Sequence, residues 1–141
     1  MPPHSFSIGT KMSEVIYRYR KRISKRQLEQ LFEGLSVKRR PPQTPEGIAK
    51  AGQVVSAWLK DTLVGLAHGS ASDDVVVLSW IYVHLSYRRK GIGATLVSKF
   101  LARFPDCTKV KLVGNRAALG FYRKCGFKVR RDAVPMIKAM R

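Results

Sequence analysis

The chain has 141 residues, 45% of them hydrophobic, and carries 27 lysines and arginines against nine acids, a formal net charge of +18. That length and apolar content suffice for one domain with a core of its own. They exclude a membrane-spanning helix, since no run is long and apolar enough. They also exclude a familiar metal site, because Cys107, Cys125, His4, His68 and His84 share no known ligand spacing.

In chain order, residues 1–11 are polar, contain prolines and lack periodicity, which predicts a poorly ordered leader. Met12 reads equally well as a start, so the domain is expected over residues 12–141. Residues 14–21 alternate Val15, Tyr17 and Tyr19 with Ile16, Arg18 and Arg20, a first strand. Ser24-x-x-Gln27 is a capping box, predicting a helix to about Gly34 with Leu28, Leu31 and Phe32 on one face. A loop follows at residues 38–43, and Thr44-Pro45-Glu46 starts a second short helix with proline at its first position. Residues 53–60 and 63–70 read as a hairpin turning at Asp61-Thr62, and 75–83 as an apolar, β-branched strand. An amphipathic helix is predicted over 94–104, a short strand over 109–113, and a helix opened by Asn115. Residues 128–131 and 135–140 close the chain as a pair of strands.

The junction between the strand at 75–83 and the next helix carries the most chemical information. It reads Arg88-Arg89-Lys90-Gly91-Ile92-Gly93-Ala94. Glycines at a strand-to-helix corner let the backbone approach a ligand, because no Cβ intervenes. The amides there and the positive end of the helix suit an anion such as a pyrophosphate, and the three basic side chains reinforce that charge. A Walker loop is excluded because the lysine precedes the glycines. A Rossmann fingerprint is excluded because Leu96 occupies the third glycine position and no acid stands about 20 residues on.

What remains, Arg88-x-x-Gly91-x-Gly93, resembles the pyrophosphate loop of the GCN5-related N-acetyltransferases. A second segment, Asn115-Arg-Ala-Ala-Leu-Gly-Phe-Tyr122-Arg-Lys-Cys-Gly126-Phe127, resembles the other landmark of that family, and both motifs occur in the family's order. Taken without the resemblance, this segment is a helix capped by Asn115 and Gly126, with Phe121 and Phe127 in the core. The resemblance covers residues 52–131 well. It implies an α/β (α+β) fold: a mixed central sheet of about six to seven strands flanked by about four helices. It implies acetyl-CoA as acetyl donor and a primary amine, on a small molecule or a protein, as acceptor. Backbone groups of Ile81, Tyr82 and Val83 would hold the acetyl and pantetheine groups. The corner from Arg88 to Ala94, Ile92 included, and Asn115 would complete the cofactor site. Tyr122 would be the acid serving the departing thiolate.

The general base is not assigned by the resemblance. Many relatives place a carboxylate in the strand before the loop, where this chain reads Leu78-Ser79-Trp80-Ile81. Asp73 and Asp74 fall in a turn at the strand's beginning. Glu33 and His84 are the alternatives, each also readable as an ordinary surface or structural residue. From Arg88 to Arg141 the chain has fifteen basic residues and only Asp106 and Asp132 to oppose them. That excess fits a polyanionic cofactor, an acidic partner or RNA, or a solvated surface. Two readings compete with catalysis: a basic nucleic-acid-binding module, and a family member that binds acetyl-CoA without turning it over. A cytoplasmic setting is the default expectation, and an oligomer is compatible with the sequence.

Overall fold

The computed structural model describes residues 14–33, 44–114 and 116–140. Its centre is a five-stranded sheet in the order β1-β2-β3-β4-β5: Ile16–Tyr19, Gln53–Leu59, Thr62–Ser72, Val75–Val83 and Lys109–Leu112. The first four strands are antiparallel neighbours, and β5 runs parallel to β4. Four α-helices flank the sheet: α1, Lys25–Leu31; α2, Pro45–Ala51; α3, Ile92–Leu101; and α4, Leu119–Lys124. Helices cover both faces, so β2 and β3 are buried on both sides and read as near-continuous apolar runs.

The first helices form where their caps dictate. Ser24 Oγ accepts from the Gln27 amide at 3.1 Å while Gln27 Oε1 accepts from the Ser24 amide at 2.9 Å. This reciprocal pair satisfies two donors that a helix start would otherwise leave unpaired. Thr44 Oγ1 does the same for the Gly47 amide, and Pro45 has no amide hydrogen to satisfy. Helices α1 and α2 bury Leu28, Leu31 and Ile48 on one face of the sheet, together with Ile23, Phe32, Val54, Trp58, Leu63 and Leu66. On the other face α3 presents Ile92, Leu96, Val97 and Phe100, positions that share one side of a 3.6-residue repeat. Two of the excess cations are used here. Lys99 Nζ lies 5.6 Å from the Tyr17 ring centre and the Arg103 guanidinium 3.6 Å from that of Tyr19.

Two irregularities shape β4. Its register with β3 shifts between His68 and Gly69, because Trp80 pairs with His68 but Leu78 pairs with Gly69. Ser79 is thus one residue too many, a bulge. On its other edge β4 pairs with β5 only from Val75 to Leu78. Gly69 sits opposite the bulge, and a Cβ there would lie 2.2 Å from the Val77 carbonyl oxygen and 2.9 Å from Phe100 Cζ. The backbones approach each other only because that atom is missing.

Among the described residues the sheet has five strands, not six or seven, and the difference lies at residues 128–140. Residues 128–131 and 135–140 have strand-like composition but form no ladder. Propensity alone does not hold a strand, and an isolated pair is marginal in water. Arg130 instead closes a local pair with Asp132 at 2.7 Å, and Val134, Met136, Ile137 and Met140 are exposed. Strand β1 is shorter than its alternation suggests, and α3 starts two residues earlier and ends three earlier than the sequence indicates. Residues 1–11, the loop at 38–43 and Asn115 lie outside the described residues.

Gly69→Ala is expected to destabilise the fold by about 1–3 kcal/mol, the range for overpacking a tight core. Gly120→Ala in α4, where a Cβ meets nothing within 4 Å, should instead stabilise by about 0.5–1 kcal/mol. Urea midpoints of the two variants should move in opposite directions.

Candidate active site

Beyond the bulge, the upper half of β4 has β3 on one side and no described strand on the other. The His84 amide donates to the Val64 carbonyl of β3 at 2.9 Å. Amide directions alternate along a strand, so Tyr82 also turns its N–H to β3 while Ile81 and Val83 turn theirs to the open edge. Side chains alternate as well. Trp80 and Tyr82 pack on the α1–α2 face against Phe32, with ring centres 6.0 and 5.0 Å away. Ile81 and Val83 pack on the α3 face.

The corner that follows is built by two left-handed residues, Arg89 (φ 64°) and Gly91 (φ 85°). Arg88 folds back on the strand: its Nε donates to the Val83 carbonyl at 2.9 Å and its guanidinium stacks 5.0 Å from the Tyr82 ring centre. Arg89 and Lys90 are exposed. Gly91 caps α3 without a side chain, and the first turn of α3 contains no acid. The positive end of the helix is therefore not neutralised within its own first turn. The two glycines differ in function. Gly91 borders open space and is demanded by its backbone angle, whereas a Cβ at Gly93 would lie 3.0 Å from Phe121. Gly93 seats α4 against α3. Ile92 is buried in the core and offers only its backbone, while Ala94 is exposed.

Helix α4 brings Tyr122 to the same end of the sheet. A Cβ at Gly93 would also come within 3.7 Å of Val83 Cγ2, so β4, α3 and Phe121 meet at that point. Tyr122 packs edge-on to Phe121 and Phe127 and covers Gly114, just beyond β5. Burial raises its pKa above the ordinary value, helped by the nearby Cys125, so the phenol stays protonated at neutral pH. Burial also pushes up the Cys125 thiol, which argues for packing over nucleophilic use. Gly126, at φ 96°, ends the helix as the sequence predicts. The turn before α4 is a 3-10 segment, Arg116–Ala118.

Of the base candidates, the structure brings Glu33 and His84 together, with Oε1 and Nε2 3.8 Å apart. His84 Nδ1 accepts from the Ser86 amide at 3.0 Å, which places the ring proton on Nε2, toward Glu33. His84 is thus a cap whose lone pair is already used. Asp73 and Asp74 occupy the β3–β4 turn, and Asp74 accepts from Thr108 Oγ1 at 2.8 Å. Among the described residues, no three His, Cys, Asp or Glu side chains are grouped to hold a metal.

His68 is the residue that sequence reasoning missed. It stands on β3 at 3% exposure, on the α1–α2 face, 6.1 Å from the Trp80 ring centre. No side chain bonds either of its ring nitrogens, one of which turns to the Ile48 backbone, and Trp80 Nε1 has no hydrogen-bond partner. Leaving a buried polar group unpaired costs about 1–3 kcal/mol. Burial lowers the His68 pKa, offset in part by a hydrogen bond to the Ile48 backbone, so the ring is neutral at pH 7. Only its place in the hairpin, opposite the segment that lacks a carboxylate, could have marked it.

The model of the Acetyltransferase (GNAT) family matches residues 20–127. A comparison with curated proteins returned no match. Among solved structures, a GNAT-family acetyltransferase of Streptococcus pneumoniae is 22% identical. It superposes with a TM-score of 0.72, over 90% of this chain and 98% of its own. An aminoglycoside acetyltransferase from an uncultured soil metagenomic sample, in complex with sisomicin, gives 0.70 at 15% identity, over 92% and 98%. An aminoglycoside N-acetyltransferase in complex with CoA gives 0.62 at 18% identity, over 88% and 94%. Those likenesses establish the fold, and the family match extends over most of the chain and both of its motifs. The chain is a member of the GNAT acetyltransferase family, whose acetyl donor is acetyl-CoA.

Proposed function

We propose that residues 12–141 form one domain that moves an acetyl group from acetyl-CoA to a primary amine by direct attack, with both substrates bound together. The observation that carries this reading is the open edge of β4 meeting the unneutralised end of α3 across the Arg88–Gly91 corner. When bound, acetyl-CoA supplies a thioester whose carbonyl carbon accepts the amine. The outward amides of Ile81 and Val83 suit the acetyl and pantetheine groups, and Tyr82 lends its ring as the platform that holds Arg88. The amides of Ile92, Gly93 and Ala94 suit the pyrophosphate, with Arg89 and Lys90 adding charge. Asn115 is assigned to the cofactor by resemblance to the family motif. Tyr122, a phenol that burial keeps protonated at neutral pH, donates to the leaving sulfur.

The net charge of +18 favours acceptors that carry or are attached to negative charge, such as amino acids, acidic peptides or aminoacyl-RNA. A second reading has its own observation. A groove of about 610 Å³ is bordered by Arg20, Lys21, Arg22 and Lys25 with Glu46, away from the β4–α3 corner. It would suit RNA or an acidic protein, and the two unpaired thiols fit a reducing, cytoplasmic setting. Among the described residues, no helix is long and apolar enough to cross a membrane.

Gly91→Ala puts a side chain on a left-handed residue, a strain of about 1–2 kcal/mol, and narrows the corner. Calorimetry should show acetyl-CoA affinity falling in this variant, and wild-type affinity would place the cofactor elsewhere.

Release of free thiol from acetyl-CoA over a panel of amines tests the activity itself. At low salt, acidic amines are expected to exceed spermine, with the difference fading as salt screens the field. Tyr122→Phe should lower turnover by about 10²-fold at similar cofactor affinity. Cofactor binding with no thiol release from any amine would indicate a binder without catalysis. Salt-dependent RNA binding without turnover would favour the second reading.

A further inference from the structure

We propose that His68 accepts the proton that the acceptor amine must lose, relayed by a water held between its ring and Trp80 Nε1. This rests on the acetyl-transfer reading and supplies the base which that reading lacks.

Three observations converge on this residue. First, His68 lies directly across the ladder from Trp80, beside the bulge at Ser79, and one pair along from Ala67–Ile81. A ligand on the open edge, where Ile81 turns its amide, takes the place of a next strand, about two strand spacings or roughly 10 Å from the β3 backbone, a gap that the His68 side chain and one bridging water can span. Second, the His68 ring and the buried Trp80 indole N–H are neighbours; with one ring nitrogen turned to the Ile48 backbone, the other is left to accept, and the indole N–H, without a partner, to donate. A bound water or amine needs at least two polar partners, and this pair provides them. Third, the competing groups are engaged or solvated. The His84 lone pair holds the Ser86 amide, the Glu33 side chain is 75% exposed, and Asp74 holds Thr108.

The protonation state fits the task. A primary alkyl amine is mostly protonated at pH 7, since its pKa is about 10.4, and only the neutral form attacks. A neutral imidazole takes a proton, whereas an imidazolium does not. The elements around His68 turn little charge toward it: β2 has no titratable side chain, β4 has only Tyr82, and Glu46 and Lys50 of α2 and Glu29 of α1 are exposed. None of them contributes to its lowered pKa. In the step, the amine nitrogen bonds to the acetyl carbon as the carbon–sulfur bond breaks. The ammonium form gives its first proton to solvent before attack, and the proton that the attacking neutral amine sheds in becoming an amide passes to a His68 ring nitrogen by exchange through the water. The Tyr122 proton goes to sulfur, and proton return from His68 through solvent restores both groups. Amine and thioester give amide and free thiol, with no other reactant.

The test is the pH dependence of turnover in His68→Gln, which keeps a polar side chain without a titrating nitrogen. The amine is the best acceptor from the panel, and folding is checked by melting temperature and acetyl-CoA titration. We expect kcat to fall by about 10²-fold or more with cofactor affinity retained. The acid limb of the kcat/KM profile, present in wild type below the ordinary histidine pKa, should disappear. Wild-type kcat, or an unchanged acid limb, would overturn the proposal. Should His68→Gln fail to fold, the His68 ring is followed by NMR in wild type. It should titrate below pH 6.5 and respond when the acceptor is added to the protein with CoA, and a ring blind to the acceptor would exclude the role. Absence of wild-type turnover with every amine would count against the acetyl-transfer reading itself, which separates the two failures.

Discussion

The pairing of β4 with β5 ends at Leu78, and the geometry of the site depends on that ending. A backbone amide on an exposed strand edge needs a partner, and when no strand supplies one, water or a ligand must. The bulge at Ser79 turns β4 away just there, leaving Ile81 and Val83 with outward amides on a strand otherwise held firmly by β3. Gly69 makes the bulge possible because its missing Cβ admits the Val77 carbonyl and the Phe100 ring. A defect in one ladder thus becomes a row of aimed donors on a rigid support.

The α3 corner adds the second half of the arrangement. Arg88 is anchored to the Val83 carbonyl, so the loop is tied to the same strand that carries the open amides. Gly91 turns the chain without filling the space beside it, and Gly93 lets Phe121 press α4 against α3. Tyr122 is positioned by this packing, over Gly114 at the end of β5. The strand edge, the helix end and the phenol form a single unit because Val83, Gly93 and Phe121 meet.

Much of this was legible in the sequence, for identifiable reasons. The capping box at Ser24, Pro45 at a helix start and Gly126 at a helix end are local signals, and each element begins or ends where its signal stands. The limits of β4, Val75–Val83, coincide with its apolar, β-branched run. The bulge was not legible, since one extra residue inside a continuous apolar run leaves no break in period. The closing strands misled because their composition suits a ladder, while the partner strand they need is not recorded in local sequence. His68 was obscured for a related reason. A single histidine in an apolar strand reads as core until the register shows that Trp80 is its neighbour and that no side chain satisfies either ring.

The most direct test of the central claim is the amide NMR spectrum of the protein titrated with CoA. If the open edge of β4 and the end of α3 hold the cofactor, the amides of Ile81, Val83, Ile92, Gly93 and Ala94 should shift together with one saturation curve. The Tyr82 amide, bonded toward β3, should move least along that stretch. Shifts confined to the Arg20–Lys25 groove, or none at residues 81–94, would contradict the account.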